Sequence, residues 1–283
     1  MNILVLGAKG MLGRYVATYL NKNKDYQIYC TDRRHLDVSK VDRDDILSQL
    51  MFPENGKDIK IDLVINCIGM IKPVIAKTSM SEAIKVNTLF PHLVSEVCKE
   101  HDIKFIHVTT DCVYTGSLAD FTLGYDEMDI HDAEDDYGLT KFLGEPKNCT
   151  VIRTSIIGEE VGQSRSLIEW IKNQRNGKAN GYTNHYWNGV TCLQFAKIVE
   201  RMIETDNFWE GTKHIHSDAV DKFQLVEMIN KIYNLNIEVT PVEGPSFCNR
   251  SLSSVYEDTE KLNTETLETQ IKELAKFSDE LYA

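Results

Sequence analysis

The sequence predicts an α/β chain: a doubly wound parallel sheet with helices on both faces, joined to a smaller C-terminal α/β lobe. Three observations carry that reading. Short apolar runs rich in β-branched residues alternate with amphipathic stretches through the first half, a glycine-rich turn follows the first run directly, and the alternation becomes irregular after about Ile156.

The apolar runs are Ile3 to Leu6, Gln27 to Cys30, Leu63 to Cys67, Phe105 to Val108 and Val151 to Arg153. Most are apolar at successive positions, as strands covered by helices on both sides require. Leu12 to Asn21, Ser81 to Glu100 and Tyr137 to Gly144 carry apolar residues at helical spacing, with Pro91 a source of kinking in the second. Beyond them come a Gly/Asn-rich irregular stretch from Asn176 to Gly189, a helix over Cys192 to Glu204 and a strand over His214 to His216. Helices follow over Phe223 to Tyr233 and Thr264 to Ala275. The expected division is a sheet domain over residues 1–155, with a return segment near 190–210, and a second lobe over 156–283.

Composition narrows the function classes. At 283 residues and 42% apolar content, the chain can bury one large core or two lobes around a cleft. A net charge of -12 with no long Lys/Arg cluster argues against a nucleic-acid partner, yet leaves room for a small anionic ligand held by a few amides and cations. The seven cysteines are odd in number, scattered and never in a C-x-x-C pair, so neither a disulfide framework nor a zinc site is indicated. A reducing, cytoplasmic setting is the expectation. The apolar start meets Gly7 too soon for a signal peptide, and no apolar run is long enough to span a membrane. His214-Ile215-His216 has metal-like residue types, but in an alternating strand both rings share a face without a carboxylate, so no metal is expected. Asp126, Glu127, Asp129, Asp132, Glu134, Asp135 and Asp136 lack the order of a calcium loop and read as a solvated segment.

Gly7-Ala8-Lys9-Gly10-Met11-Leu12-Gly13 follows a strand and opens a helix, the context in which glycine spacing becomes evidence for a dinucleotide. Gly7 permits the tight turn, Gly10 lets the backbone approach a pyrophosphate, and Gly13 lets helix and strand pack closely. Met11 and Leu12 then present the first helical amides to the phosphates. A Rossmann domain is the expectation. The second strand ends in Thr31-Asp32-Arg33-Arg34, where an acid suits the ribose 2'-hydroxyl of NAD and an arginine the 2'-phosphate of NADP. With Lys9, three cations stand against Asp32, so NADP, used as NADPH, is expected ahead of NAD. The plainer reading of Arg33 and Arg34 is a solvated turn.

Tyr137-Gly138-Leu139-Thr140-Lys141 places a phenol and an ammonium four residues apart on one helical face. Any helix can carry such a pair. Its weight comes from following a strand that ends Thr109-Thr110-Asp111. A phenol titrates near 10 in water, so a tyrosine that gives a proton at neutral pH needs a cation nearby, and Lys141 supplies it. Thr110 would bind a carbonyl oxygen beside Tyr137.

Thr109 to Gly116, Asp136 to Lys141, Arg153-Thr154-Ser155 and Arg250 to Ser254 together resemble the dTDP-4-dehydrorhamnose reductase family of extended short-chain dehydrogenases/reductases. The blocks run through most of the chain in the family's order. The resemblance implies NADPH-dependent reduction of the 4-keto group of a UDP- or dTDP-linked 6-deoxyhexose, with the nucleotide sugar as partner. It implies that Asp37 and Val38 lie near the adenine, that Cys67, Ile68, Gly69 and Asn87 border the cofactor, and that Asp111 and Arg250 lie near the substrate. Tyr182 and Trp187, aromatics in a Gly/Asn-rich stretch, suit stacking on a base or sugar, and equally suit packing of the lobe.

Cys112 departs from the rhamnose reductases, which carry tyrosine there; GDP-fucose synthase and the plant-type epimerase/reductases carry a cysteine that acts as acid/base in epimerisation. A C–H next to a C4 ketone is acidic, so Cys112 is either a base for C3 and/or C5 epimerisation or a structural thiol. Epimerisation also needs an acid on the other ring face. Where GDP-fucose synthase has a histidine, Ser164-Arg165-Ser166-Leu167 has none, leaving Lys72, His185 or Arg165 to substitute. A reading from another class is a non-catalytic regulatory subunit resembling that of methionine adenosyltransferase, which would have no need to keep Thr110, Tyr137 and Lys141 together. The residues leave oligomeric state open, a homodimer included.

Overall fold

A computed structural model of the chain describes residues 1–33, 36–51, 59–117, 124–162, 164–263 and 265–282. Its centre is a six-stranded, all-parallel sheet built from β1 (Asn2–Leu6), β2 (Gln27–Thr31), β3 (Leu63–Asn66), β4 (Lys104–Thr110) and β5 (Thr150–Thr154), with Gly211–His214 at one edge. From that edge the order runs Gly211–His214, β5, β4, β3, β1, β2. The uninterrupted apolar runs serve two cores at once. Ile3, Val5, Leu63 and Ile65 face one and Leu4, Leu6 and Val64 the other, all 2% exposed or less. The chain leaves β1 for β2 on one side and enters β3 on the other, so a crevice opens at the carboxyl ends of β1 and β3, where ligands of such sheets bind.

Glycines and helices set that crevice. Helix α1 (Met11–Leu20) buries Leu12, Tyr15, Val16 and Leu20, while α2 (Arg43–Met51), which the sequence reading did not anticipate, buries Ile46 and Leu50. Two buried residues among acids gave too weak a periodicity to read. The long helix from Met80 to Glu100 is not uniform: α-helical Met80–Ile84 passes through a π turn at Lys85–Leu89 into Phe90–Glu100. Pro91 lacks the N–H that an α-helical turn would need there, and the irregularity sits in the turn before it.

The structure departs from expectation in three places. The stretch from Asn176 to Gly189, expected to be irregular, holds strands Lys178–Tyr182 and His185–Trp187. The latter is the middle of a small sheet, flanked by Val220–Asp221 and Cys248–Asn249. The strand expected over 214–216 instead runs from Gly211 to His214, and Ser217 N–H turns away to the Asn188 carbonyl at 2.6 Å. His214 is fully buried and His216 lies beyond the strand, so their rings have different surroundings; no metal-binding cluster occurs among the described residues. Nor is the acidic segment simply solvated. Glu127 accepts hydrogen bonds from His214 N, Ser254 Oγ and Val255 N, and Asp132 from Thr115, because the neighbouring loops leave these donors without strand partners.

Helix Cys192–Glu204 covers the sheet beside α1 with Phe195, Ala196, Val199 and Met202 in the shared core. Among the described residues no helix is long and apolar enough to cross a membrane.

Candidate active site

Two structures built from different kinds of atoms meet at the carboxyl edge of the sheet. The first is a backbone cradle. Gly7 has φ +79°, a left-handed turn that a side chain would strain, and the turn is closed by Gly10 N–H donating to Gly7 O at 2.9 Å. A Cβ on Gly13 would lie 2.3 Å from the Gly7 carbonyl oxygen, so α1 can meet the turn only through glycine. Gly10 caps α1 without any side-chain hydrogen bond, leaving the first amides, at Met11 and Leu12, to an outside acceptor. These features fit a pyrophosphate. Val38 and Ile68 pack against the same buried residues, with Ile68 beside Gly7, and Asp37 has its carboxyl held below the usual range by Ser39 and Lys40.

At the end of β2 the Lys9 ammonium lies against the Asp32 carboxylate. The lysine counted with the phosphate-binding cations is thus turned to the one carboxylate that would repel a phosphate, while Arg33 stands exposed in the following turn. Arg34 lies outside the described residues. Asn87, expected at the cofactor, has its amide fully engaged: Oδ1 accepts from Met70 N at 2.7 Å, and Nδ2 donates to Met70 O and Thr140 Oγ1. It staples the segment after β3 to the Tyr137 helix. Gly69 lies at that junction, where a Cβ would be 3.7 Å from Lys141 Nζ, and Cys67, half-buried, has its thiol pushed up to about 12 by burial.

The second structure is made of side chains. Thr110 ends β4; its hydroxyl donates to Asp111 Oδ1 at 3.1 Å, accepts from Cys112 N–H at 3.2 Å, and lies close enough to the Tyr137 phenol to act on its acidity. Tyr137 is delivered by helix Asp136–Leu143, whose start is fixed by Asp135 accepting from Gly138 N–H at 2.8 Å. That helix touches the β4 turn backbone to backbone: a Cβ on Gly138 would lie 2.2 Å from the Cys112 carbonyl oxygen. Lys141 is 5% exposed and donates to Val108 O at 2.8 Å; burial pulls its ammonium down to about 8.

The Lys141 ammonium gives one of its three protons to the Val108 carbonyl in that hydrogen bond. The Tyr137 phenol is pushed up, first by burial and then by Cys112, with Thr110 opposing. Tyr137 therefore stays protonated across the neutral range.

On the substrate side, Asp111 is 6% exposed, and Cys112, half-buried, has a thiol pushed up to about 12 by burial and by Asp111, against the pull of Lys72 and Arg250. Arg250 donates from Nε to Tyr114 O at 2.8 Å, and Lys72 is tied to Asp135 at 2.5 Å with its ammonium 5.8 Å from the Tyr137 ring centre. These four gather around the Thr110 turn. Others do not. Arg165 is exposed, with its backbone N–H donating to Glu160, and Tyr182 lies half-exposed on the His185 ring. Trp187 is 5% exposed with its indole N–H on Ser155 Oγ at 2.8 Å, a packing position with one face toward the Lys222 ammonium. Lys222 was missed: it follows the helix cap Asp221, and nothing in its sequence surroundings tells which way the ammonium turns.

Behind this face Arg153 pairs with Glu145 at 2.6 Å, both side chains 6% exposed, and donates to Tyr114 Oη and His214 Nε2. His214 Nδ1–H reaches the Ser253 carbonyl at 2.8 Å, so the ring bridges the main sheet and the 250s segment in its neutral form. An open groove on the opposite edge of the sheet, lined by Lys60, Asp62, Cys98, Lys104 and Phe208, is remote from these groups.

The model of the RmlD substrate binding domain matches residues 1–250. A dTDP-4-dehydrorhamnose reductase of Aggregatibacter actinomycetemcomitans is 28% identical over 223 residues, covering 75% of this chain and 72% of that protein. The trifunctional UDP-glucose 4,6-dehydratase/UDP-4-keto-6-deoxy-D-glucose 3,5-epimerase/UDP-4-keto-L-rhamnose-reductase of Arabidopsis thaliana is 29% identical over 161 residues, 50% of this chain and 23% of that protein. Among solved structures, the dTDP-4-dehydrorhamnose reductase of Bacillus anthracis in complex with NADP superposes with a TM-score of 0.76 at 19% identity, covering 96% of this chain and 98% of that one. That last likeness establishes the shared fold.

Proposed function

The chain belongs to the RmlD substrate binding domain family, and from that premise we propose that it is an NADPH-dependent reductase of the 4-keto group of a dTDP- or UDP-linked 6-deoxyhexose. The observation that carries this is the meeting of the glycine cradle with the Thr110, Tyr137 and Lys141 set at one edge of the sheet. Residues 1–155 hold the cofactor and residues 156–283 supply most of the nucleotide-sugar wall.

The residues present suit the dinucleotide: the α1 amides for the pyrophosphate, Arg33 for the 2'-phosphate, Val38 and Ile68 for the adenine. NADPH, when bound, supplies the hydride for C4. Thr110 holds the ketone oxygen by a hydrogen bond, and Tyr137, protonated because its phenol is buried, gives that oxygen its proton as negative charge develops on it. Lys141, charged at neutral pH, stands behind as the cation that the resulting phenolate faces once substrate closes the site. In the free chain the Thr110 hydroxyl donates to Asp111 Oδ1, and substrate binding turns that proton from the carboxylate to the ketone oxygen. Cys112, on the turn that follows, is placed to take a proton from a carbon next to the ketone, adding C3 and/or C5 epimerisation before reduction.

The test is the fall of NADPH absorbance with a 4-keto-6-deoxy sugar nucleotide generated in place by a dehydratase. Turnover with the dTDP or UDP form identifies the nucleotide. Cofactor binding without turnover on either, together with co-purification of a partner enzyme, overturns this reading in favour of a regulatory subunit.

A further inference from the structure

Epimerisation at a carbon next to a ketone needs two groups: one removes the proton, and another returns one to the opposite ring face. The small sheet brings a second group to the cleft. Its middle strand, His185–Trp187, pairs with Val220–Asp221 on one side and Cys248–Asn249 on the other, so Lys222 and Arg250 emerge from its two edges. Both converge on the turn that carries Cys112. A Cβ on Gly116 would lie 2.8 Å from Cys248 Sγ and 3.0 Å from Arg250 Cγ, and Asn249 N–H donates to Gly116 O at 2.8 Å, so this edge is pressed against the 111–117 segment. The Lys222 ammonium lies 5.2 Å from the Trp187 ring centre, within electrostatic range of Asp111, Cys112, Cys248 and Arg250.

We propose that Lys222 is the acid that completes an epimerisation begun by Cys112, an inference that rests on the keto-sugar reading above. Cys112 sits on the sheet domain and Lys222 on the second lobe, so a sugar ring in the cleft has one on each side. The thiolate of Cys112 takes the proton from the carbon next to C4, and the electron pair moves into an enolate whose oxygen Thr110 and Tyr137 hold. The Lys222 ammonium then gives its proton to the same carbon from the other face, the ketone re-forms with that centre inverted, and solvent re-protonates the amine and removes the thiol proton. No oxidant or reductant is consumed.

The three residues that the sequence offered for this role are occupied or elsewhere: Lys72 is paired with Asp135, His185 Nε2 is bonded to Ser246 O at 2.8 Å, and Arg165 is exposed on another loop. Arg250 cannot release a proton near neutrality. Lys222 has neither an ion pair nor a hydrogen bond among the described residues. Burial lowers the affinity of its ammonium for the proton, which makes it a better donor, and Asp111 keeps it charged.

The experiment incubates the protein with dTDP-4-keto-6-deoxyglucose in heavy water without NADPH, measures deuterium at C3 and C5, and then reads the configuration by NMR. A parallel reaction follows NADPH oxidation with substrate already epimerised. Wild type is expected to incorporate deuterium and invert. Lys222→Met should keep incorporation with retention, while the ratio of inversion to NADPH oxidation falls about 100-fold or more, as for loss of a general acid. Lys222→Arg, which keeps the charge and cannot give the proton, should behave like Lys222→Met. Inversion at the wild-type ratio in either variant overturns the proposal, as does a parallel loss of incorporation and NADPH oxidation, which marks an anchoring role. Wild type that oxidises NADPH but incorporates no deuterium overturns it and leaves the reductase standing; wild type that does neither overturns the reductase reading itself.

Discussion

The cradle at α1 and the face around Thr110 solve opposite problems with opposite materials. The cradle offers backbone amides, and side chains are absent by necessity, as at Gly13, where a Cβ would meet a carbonyl oxygen at 2.3 Å. The other face is proposed to work through the side chains of Thr110, Tyr137, Cys112, Lys222 and Arg250, which come from four separate stretches of chain. A backbone site can be written in seven consecutive residues. A side-chain site of this kind is written across more than a hundred.

The sharpest way to separate the two halves is Tyr137→Phe, which should lower NADPH-dependent reduction by about 100-fold or more while cofactor affinity, measured by fluorescence titration, stays near wild type. Loss of both together would mean that the halves are not independent. Gly138→Val comes next. Its Cβ must displace the Cys112 carbonyl or the helix, so kcat should fall by about tenfold or more with a lower Tm, although no reacting group has been removed.

Acidity distinguishes the groups within the side-chain half. Lys141 titrates near 8, so kcat/KM for reduction should be level below that pH and fall about tenfold per unit above it. The sign for stability is the reverse: the folded value lies below the ordinary 10.5, the unfolded chain holds more protons between the two, and this group makes stability rise with pH across that window. Unfolding of this origin would not mimic the loss of rate. Deuterium exchange at C3 or C5 should instead climb about tenfold per unit through neutrality, because the Cys112 thiol, raised by burial and Asp111 and drawn down by Lys72 and Arg250, titrates near 12. Rates that rise and fall together would assign both to one group.

The smallest effect expected is in the cradle. Arg33→Ala should weaken NADPH by about tenfold with little change for NADH, as loss of one charge-assisted contact to a 2'-phosphate does. Equal weakening of both would remove Arg33 from that role and leave Asp32, with its Lys9 partner, in charge of the ribose.

Much of this was legible in the sequence. The parallel sheet follows from runs such as Leu63 to Ile65, which are apolar on both faces, and helix Cys192–Glu204 has the expected limits because Thr191 caps a strongly two-sided pattern. Tyr137 and Lys141 could be found because helical spacing makes neighbours of residues four apart. Lys222 could not, since its neighbours Trp187, Cys112 and Arg250 are set by pairings between short strands that carry no periodicity of their own. Sequence locates a lysine near a phenol, but only the fold reveals that the ammonium also donates to the Val108 carbonyl.

The π turn at Lys85–Leu89 has a consequence for chain length. A π turn holds one more residue than the α turn it replaces, and this one contains Asn87, the staple between Met70 and Thr140. Removing a single residue there would leave an unbroken, regular helix. It would also rotate everything on one side of the deletion by about 100° relative to the other, carrying the staple away from the helix that bears Tyr137. Substitutions on the exposed side of this turn are read one side chain at a time, whereas a change in the count of residues is read by the whole active site.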